Sequence, residues 1–172
     1  SNVRFDNLSV RYGNANVGGM ITVDGTDFMR SNGAGIYMVD GSVIMKDILV
    51  SDNNATNQGG GLYLKNSFLR VEKCAITNNT SNQGGGMFII NDHYQNALIE
   101  KSVIANNVAN EGGAMFLSDP PRDITYSIEY GRYNFKIEFC TYYGNSASNS
   151  SVLYTTNIVE AKLVFYNSVV YG

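Results

Sequence analysis

Three stretches of the chain superimpose residue for residue, each ending in a small-residue turn followed by an apolar run. They are Asn54-Ala-Thr-Asn-Gln-Gly-Gly-Gly-Leu62, Asn79-Thr-Ser-Asn-Gln-Gly-Gly-Gly-Met87 and Asn107-Val-Ala-Asn-Glu-Gly-Gly-Ala-Met115. Weaker copies flank them at Asn32-Gly-Ala-Gly-Ile36 and Asn145-Ser-Ala-Ser-Asn149-Ser-Ser-Val152, and Tyr12 to Met20 reads as an earlier copy out of register. The apolar residue after each turn (Ile36, Leu62, Met87, Met115, Val152) recurs at spacings of 26, 25, 28 and 37 residues. Self-similarity at such a period means one supersecondary unit stacked on copies of itself.

The interior of a unit decides which one. Between turns lie three short alternating runs: Leu62-Tyr-Leu-Lys, Phe68-Leu-Arg-Val-Glu-Lys-Cys74 and Ala75-Ile-Thr. Alternation at period two is strand grammar, and no helix-period segment intervenes. The fixed leucine spacing of leucine-rich repeats is missing. Composition agrees: 18 Gly, 12 Tyr and 8 Phe, with charged residues at 16%, suit strands and tight turns better than solvated helices. The expected fold is all-β, a right-handed parallel β-helix of about 25–28 residues and three short strands per coil. Residues 1–172 form one such domain, a candidate segment of a longer solenoid, with an inserted loop at about 118–133 that holds both prolines, Pro120 and Pro121.

Positions inside the repeat then acquire roles. Leu62, Met87 and Met115 stack inward in one column, and Leu64, Ile89 and Leu117 in another. Asparagine tolerates corner backbone and both donates and accepts, so Asn54, Asn79 and Asn107 are expected to form a ladder. Tyr63, Phe88 and Phe116 alternate with the core columns and face outward as an aromatic strip, a candidate contact surface for a glycan or a cell-surface ligand. Cys74 and Cys140 share a phase two coils apart, on the order of 9–10 Å at strand spacing, too far for a disulfide, and are expected as buried free thiols.

The turn Gly112-Gly-Ala-Met115, with Gly59-Gly-Gly-Leu62 and Gly84-Gly-Gly-Met87 as variants, resembles the GGA[ILV] motif of the chlamydial polymorphic outer membrane proteins. Ile76-Thr-Asn-Asn79, Ile104-Ala-Asn-Asn107 and Tyr142-Tyr-Gly-Asn145 resemble its companion FxxN motif. The resemblance covers about residues 30–155 and implies a β-helix displayed on a cell surface for adhesion.

Functional chemistry is sparse. The carboxylates fall in different phases of the repeat, and Asp119, Arg122 and Asp123 share the inserted loop. His93 is the sole histidine, so a multi-histidine metal site is excluded; no cofactor is expected. A net charge of -3, without a basic stripe, gives no footprint for nucleic acid. No apolar run is long enough to span a membrane. Five sequons, at Asn7, Asn54, Asn78, Asn79 and Asn149, are candidate glycosylation sites and point to an extracellular or cell-surface location. Both ends read as apolar strands without a cap, so further coils or an end-to-end copy in a filament are the expected partners. The expectation is a structural or adhesive module rather than an enzyme; the alternatives are a non-catalytic carbohydrate-binding module and a polysaccharide-degrading enzyme.

Overall fold

A computed structural model of the chain describes residues 2–23, 26–90, 96–118, 134–156 and 162–170. Three parallel sheets, two of six strands and one of five, build the solenoid, and the chain visits them in rotation. The first sheet stacks Asn2–Asp6, Ser42–Lys46, Phe68–Glu72, Ala97–Glu100, Asn134–Glu138 and Lys162–Tyr166. The second stacks Ser9–Arg11, Leu49–Ser51, Ala75–Thr77, Val103–Ala105, Thr141–Tyr143 and Val169–Val170. The third holds Ile36–Val39, Leu62–Lys65, Met87–Ile90, Met115–Ser118 and Leu153–Thr156. The three strands read from the sequence in the unit beginning at Leu62 form, the second ending at Glu72 rather than Cys74 because Lys73 turns the chain with φ 53°. Described residues contain no helix.

Alternation sends one side chain in two inward. Leu62, Met87 and Met115 pair in register and are fully enclosed, and Leu64, Ile89 and Leu117 line the neighbouring column. The column continues at Leu153, not Val152, because Ser150-Ser151-Val152 occupies the corner filled elsewhere by Gly112-Gly113-Ala114. Ser150 takes the left-handed backbone (φ 55°) of Gly112 (φ 64°), so Leu153 follows it by three positions as Met115 follows Gly112.

The glycine triplets sit at one corner, as expected. Gly84 has φ 63°, a region that costs a side-chain-bearing residue energy. A Cβ on Gly85 would lie 2.6 Å from the carbonyl oxygens of both Gly113 and Val108. Coils therefore approach here to a separation that excludes a side chain.

The first coil departs from this plan. Gly18, Gly19 and Met20 lead into an antiparallel hairpin, Met20–Val23 paired with Thr26–Met29, instead of a third-sheet strand. The Tyr12–Met20 copy stacks only at its start, where Asn14–Ala15 pairs in parallel with Asn54–Ala55, and from Gly18 on it is a copy in letters only. Apart from Ser118, the expected insertion at 118–133 lies outside the described residues, as does His93.

Candidate functional site

The polar residues of the repeat bond to neighbouring coils. The Asn53 Nδ2 donates to Asn79 Oδ1 at 2.9 Å, Asn79 to Asn107 at 3.0 Å, and Asn107 to Asn145 at 3.0 Å. Each Oδ1 also accepts the backbone N–H of the preceding ladder residue, and each Nδ2 also donates to a core-strand carbonyl, Val50 in the case of Asn79. The ladder member is Asn53, not Asn54. Gln58 follows Asn53 by five positions, but Gln83 follows Asn79 and Glu111 follows Asn107 by four, so counting back from the glycines lands one residue late. Asn54 is exposed and bridges Thr80 instead. Counting forward from the core position of the FxxN-like motif, Val50 to Asn53, would have found it.

A second amide chain runs beside the third sheet: Asn57 to Asn32 at 2.9 Å, Asn32 to Gln58 at 3.2 Å, Gln58 to Gln83 at 2.8 Å, and Gln83 to the Glu111 carboxylate at 2.7 Å. Small side chains make a third series. The Ser102 hydroxyl donates to Glu100 O, and the Cys74 and Cys140 thiols donate likewise to Glu72 O and Glu138 O. Both cysteines are free and buried, and burial pushes their thiols up.

The aromatic strip forms on the outer side of the third sheet, but it is not a surface. Tyr37, Tyr63, Phe88, Phe116 and Tyr154 make one pile with successive centroids 4.7, 5.5, 4.9 and 5.1 Å apart. Tyr63 is 7% exposed, and Phe88 and Phe116 are 3% exposed. Each ring covers its neighbour's face, and Val39 and Ile90 pack against the flank, so the strip is a second hydrophobic core. The contact surface expected at Tyr63, Phe88 and Phe116 is therefore corrected.

Carboxylates, in contrast, do cluster. Strand register stacks Glu72, Glu100 and Glu138 on the outside of the first sheet, one per coil, below Lys46. Arg70 pairs with Glu100 at 2.9 Å and Glu72 at 3.6 Å, and Lys136 with Glu138 at 2.7 Å. Unequal coil lengths hid this column in the sequence. Its charges neutralise one another across the sheet, the ordinary cross-strand pairing of an exposed face.

A cleft lies among the outer features of the described residues. It holds about 430 Å³ between the hairpin and the upper third sheet. Met20, Asp27 and Met29 line it from the hairpin; Tyr37, Val39, Tyr63 and Lys65 line it from the sheet, with Asp40 and the amides of Asn32, Asn57 and Gln58 at its margin. Burial pushes the Tyr37 phenol up, against a smaller opposing effect of a hydrogen bond from the Met29 backbone. Phe28 meets the Tyr37 ring edge-on at 5.6 Å. Sequence reading missed this cleft because it depends on the hairpin.

The family model described as right handed beta helix region matches residues 2–172. The chain belongs to that family. No curated protein and no solved structure matches it. As a right-handed β-helix it spends its repeat positions on corners and ladders, and the sequons divide accordingly. Asn7, Asn54, Asn78 and Asn149 are exposed, whereas Asn79 has no exposed surface and its amide is held in the ladder. A glycan on Asn79 is incompatible with the folded coil, which corrects that candidate. No helix among the described residues of the β-helix is long and apolar enough to cross a membrane.

Proposed function

We propose that this β-helix is an extracellular or cell-surface structural module of the adhesive, display type. The observation that carries the reading is the Asn53–Asn79–Asn107–Asn145 ladder, in which the most regularly placed polar residues bond coil to coil. Investment of polar side chains in stacking suits a rod that holds a shape or spaces other parts apart. The resemblance to the chlamydial surface proteins supports the same reading residue by residue. In the FxxN-like segments the first residue (Ile76, Ile104, Tyr142) is buried in the core and the last (Asn79, Asn107, Asn145) is a ladder rung. Exposed sequons at Asn7, Asn54, Asn78 and Asn149 suit passage through a glycosylating secretory route where the host has one.

The test is surface labelling of intact producing cells with an antibody against the folded β-helix. Labelling that is lost after protease treatment of whole cells is expected. Signal only after permeabilisation would overturn the location. Release of reducing sugar from plant or bacterial polysaccharides by the purified protein would overturn the non-enzymatic assignment.

A further inference from the structure

We infer that the cleft between the hairpin and the third sheet binds a short neutral glycan, of monosaccharide or disaccharide size. This goes beyond the structural reading and does not depend on it. The cavity's volume of about 430 Å³ falls within the roughly 300–1,000 Å³ typical of small-molecule sites. Its shape comes from two elements that the rest of the solenoid lacks in combination. The hairpin register places Met20 opposite Met29 and Thr22 opposite Asp27, and strand alternation puts these four on one side. Across the hairpin the Thr22 hydroxyl donates to Asp27 Oδ1 at 2.6 Å, which fixes the carboxylate at the cleft wall. On the opposite wall Val39 pairs with Lys65, so Asp40 and Lys65 stand beside each other on adjacent coils.

The lining chemistry selects the ligand. Asp27 and Asp40 accept hydrogen bonds, Lys65 donates them, and the Asn57 amide keeps one N–H beyond the one it gives to Asn32. A sugar offers the matching set: adjacent hydroxyls that donate and accept, with C–H patches for Met20 and Met29. The tyrosine faces are covered by their ring neighbours, so Tyr37 and Tyr63 present ring edges and the sugar is held by polar contacts rather than by stacking. Two carboxylates against one ammonium leave the cleft with a net negative charge, which repels uronates and sulfated sugars.

Titration calorimetry and saturation-transfer NMR of the folded protein with cellobiose, maltose, lactose and N,N'-diacetylchitobiose test this, with digalacturonate as the acidic control. Saturable binding of at least one neutral disaccharide is expected, and none of digalacturonate. D27N and D40N, the second chosen because Asn tolerates the φ of 51° at that corner, should each weaken binding about tenfold while leaving the thermal midpoint in place. Silence from all four neutral probes would overturn the proposal. So would binding unchanged in both variants, or digalacturonate bound as tightly as the neutral sugars. Hydrolysis of a probe, abolished in either variant, would replace a binding site with a catalytic one. A failed surface-labelling result would leave these outcomes standing.

Discussion

The coil that starts at Asn2 and the coils that follow Ile36 share the strands of the first two sheets, yet only the later ones build the third. The first coil contributes Asn2–Asp6 and Ser9–Arg11 in register with Ser42–Lys46 and Leu49–Ser51, like any other. It stacks once more at Asn14–Ala15 on Asn54–Ala55 and then leaves the plan without the ladder asparagine. Gly13 stands where the ladder asparagine should be, and its N–H merely donates to Asn53 Oδ1 at 2.8 Å. Gly18 and Gly19 would meet nothing within 4 Å if given a Cβ, whereas Gly85 is pressed between two carbonyls. The same letters, Gly-Gly-Met, thus open a hairpin at Gly18-Gly19-Met20 and a third-sheet strand at Gly85-Gly86-Met87. Strand pattern alone propagates the first two sheets; the third needs the asparagine and glycine corner that turns the chain back onto the coil.

Breaking the ladder should have the largest effect. Asn79→Ala strips partners from the Asn53 amide and backbone N–H, Val50 O and the Asn107 Oδ1 at a fully buried position. A loss of about 4 kcal/mol is expected in chemical denaturation, since each orphaned buried group costs roughly 1–3 kcal/mol. Asn54→Ala, one residue from a rung but exposed, should change stability by less than about 0.5 kcal/mol. Equal effects at the two sites would remove the ladder from the account.

Closing the corner comes next. Gly85→Ala forces a Cβ against Gly113 O and Val108 O and should cost about 3 kcal/mol, in the range of overpacking. Hydrogen exchange sharpens the contrast: amides of Met87–Ile90 should lose protection well before those of Ala97–Glu100. Uniform loss across all three sheets would show that they do not differ in what holds them.

A smaller effect belongs to the core of the fifth coil. Tyr142 is fully buried among Ile and Val positions of the second sheet, and its hydroxyl has no hydrogen-bond partner among the described residues. Tyr142→Phe should therefore stabilise by about 1 kcal/mol. The same burial pushes the Tyr142 phenol well up, and the Cys74 and Cys140 thiols up. Acids whose folded pKa is raised keep their full contribution below the unfolded value and lose it as pH rises. Stability should then fall from about pH 8.5, where unfolded cysteine ionises, and further past pH 10 for tyrosine. In Tyr142→Phe the second fall should shrink.

Smallest of all, Gly18→Ala should shift stability by no more than about 0.5 kcal/mol, because its surroundings are open and its backbone lies outside the left-handed region.

The repeat was readable where side chain and period alone fix a position. Leu62, Met87 and Met115 fall in one enclosed column because alternation leaves them no other side. Cys74 and Cys140 share a phase and stay unpaired because the coil carrying Ser102 lies between them. What escaped were features that depend on coil-length differences. One extra residue between Asn53 and Gln58 displaced the ladder, and the coil lengths around Glu72, Glu100 and Glu138 concealed their stacking. The aromatic strip was legible as an outward column but not as a buried one, since exposure depends on what lies over it and not on the strand. The cleft was illegible, because nothing in Gly18-Gly19-Met20 distinguishes a hairpin from a corner.

The asparagine ladder and the glutamine column also have a direction. Every rung from Asn53 to Asn107 donates toward the coil that follows it, and Gln58 and Gln83 do the same until Glu111 receives the last proton bond. Dipoles aligned in this way polarise one another. A gene duplication that copied one whole unit, from one asparagine rung to the next, would add a coil whose arrow already agreed with its neighbours. The interface above a unit is the mate of the interface below it. Such a rod can be lengthened by copying without a new contact having to evolve.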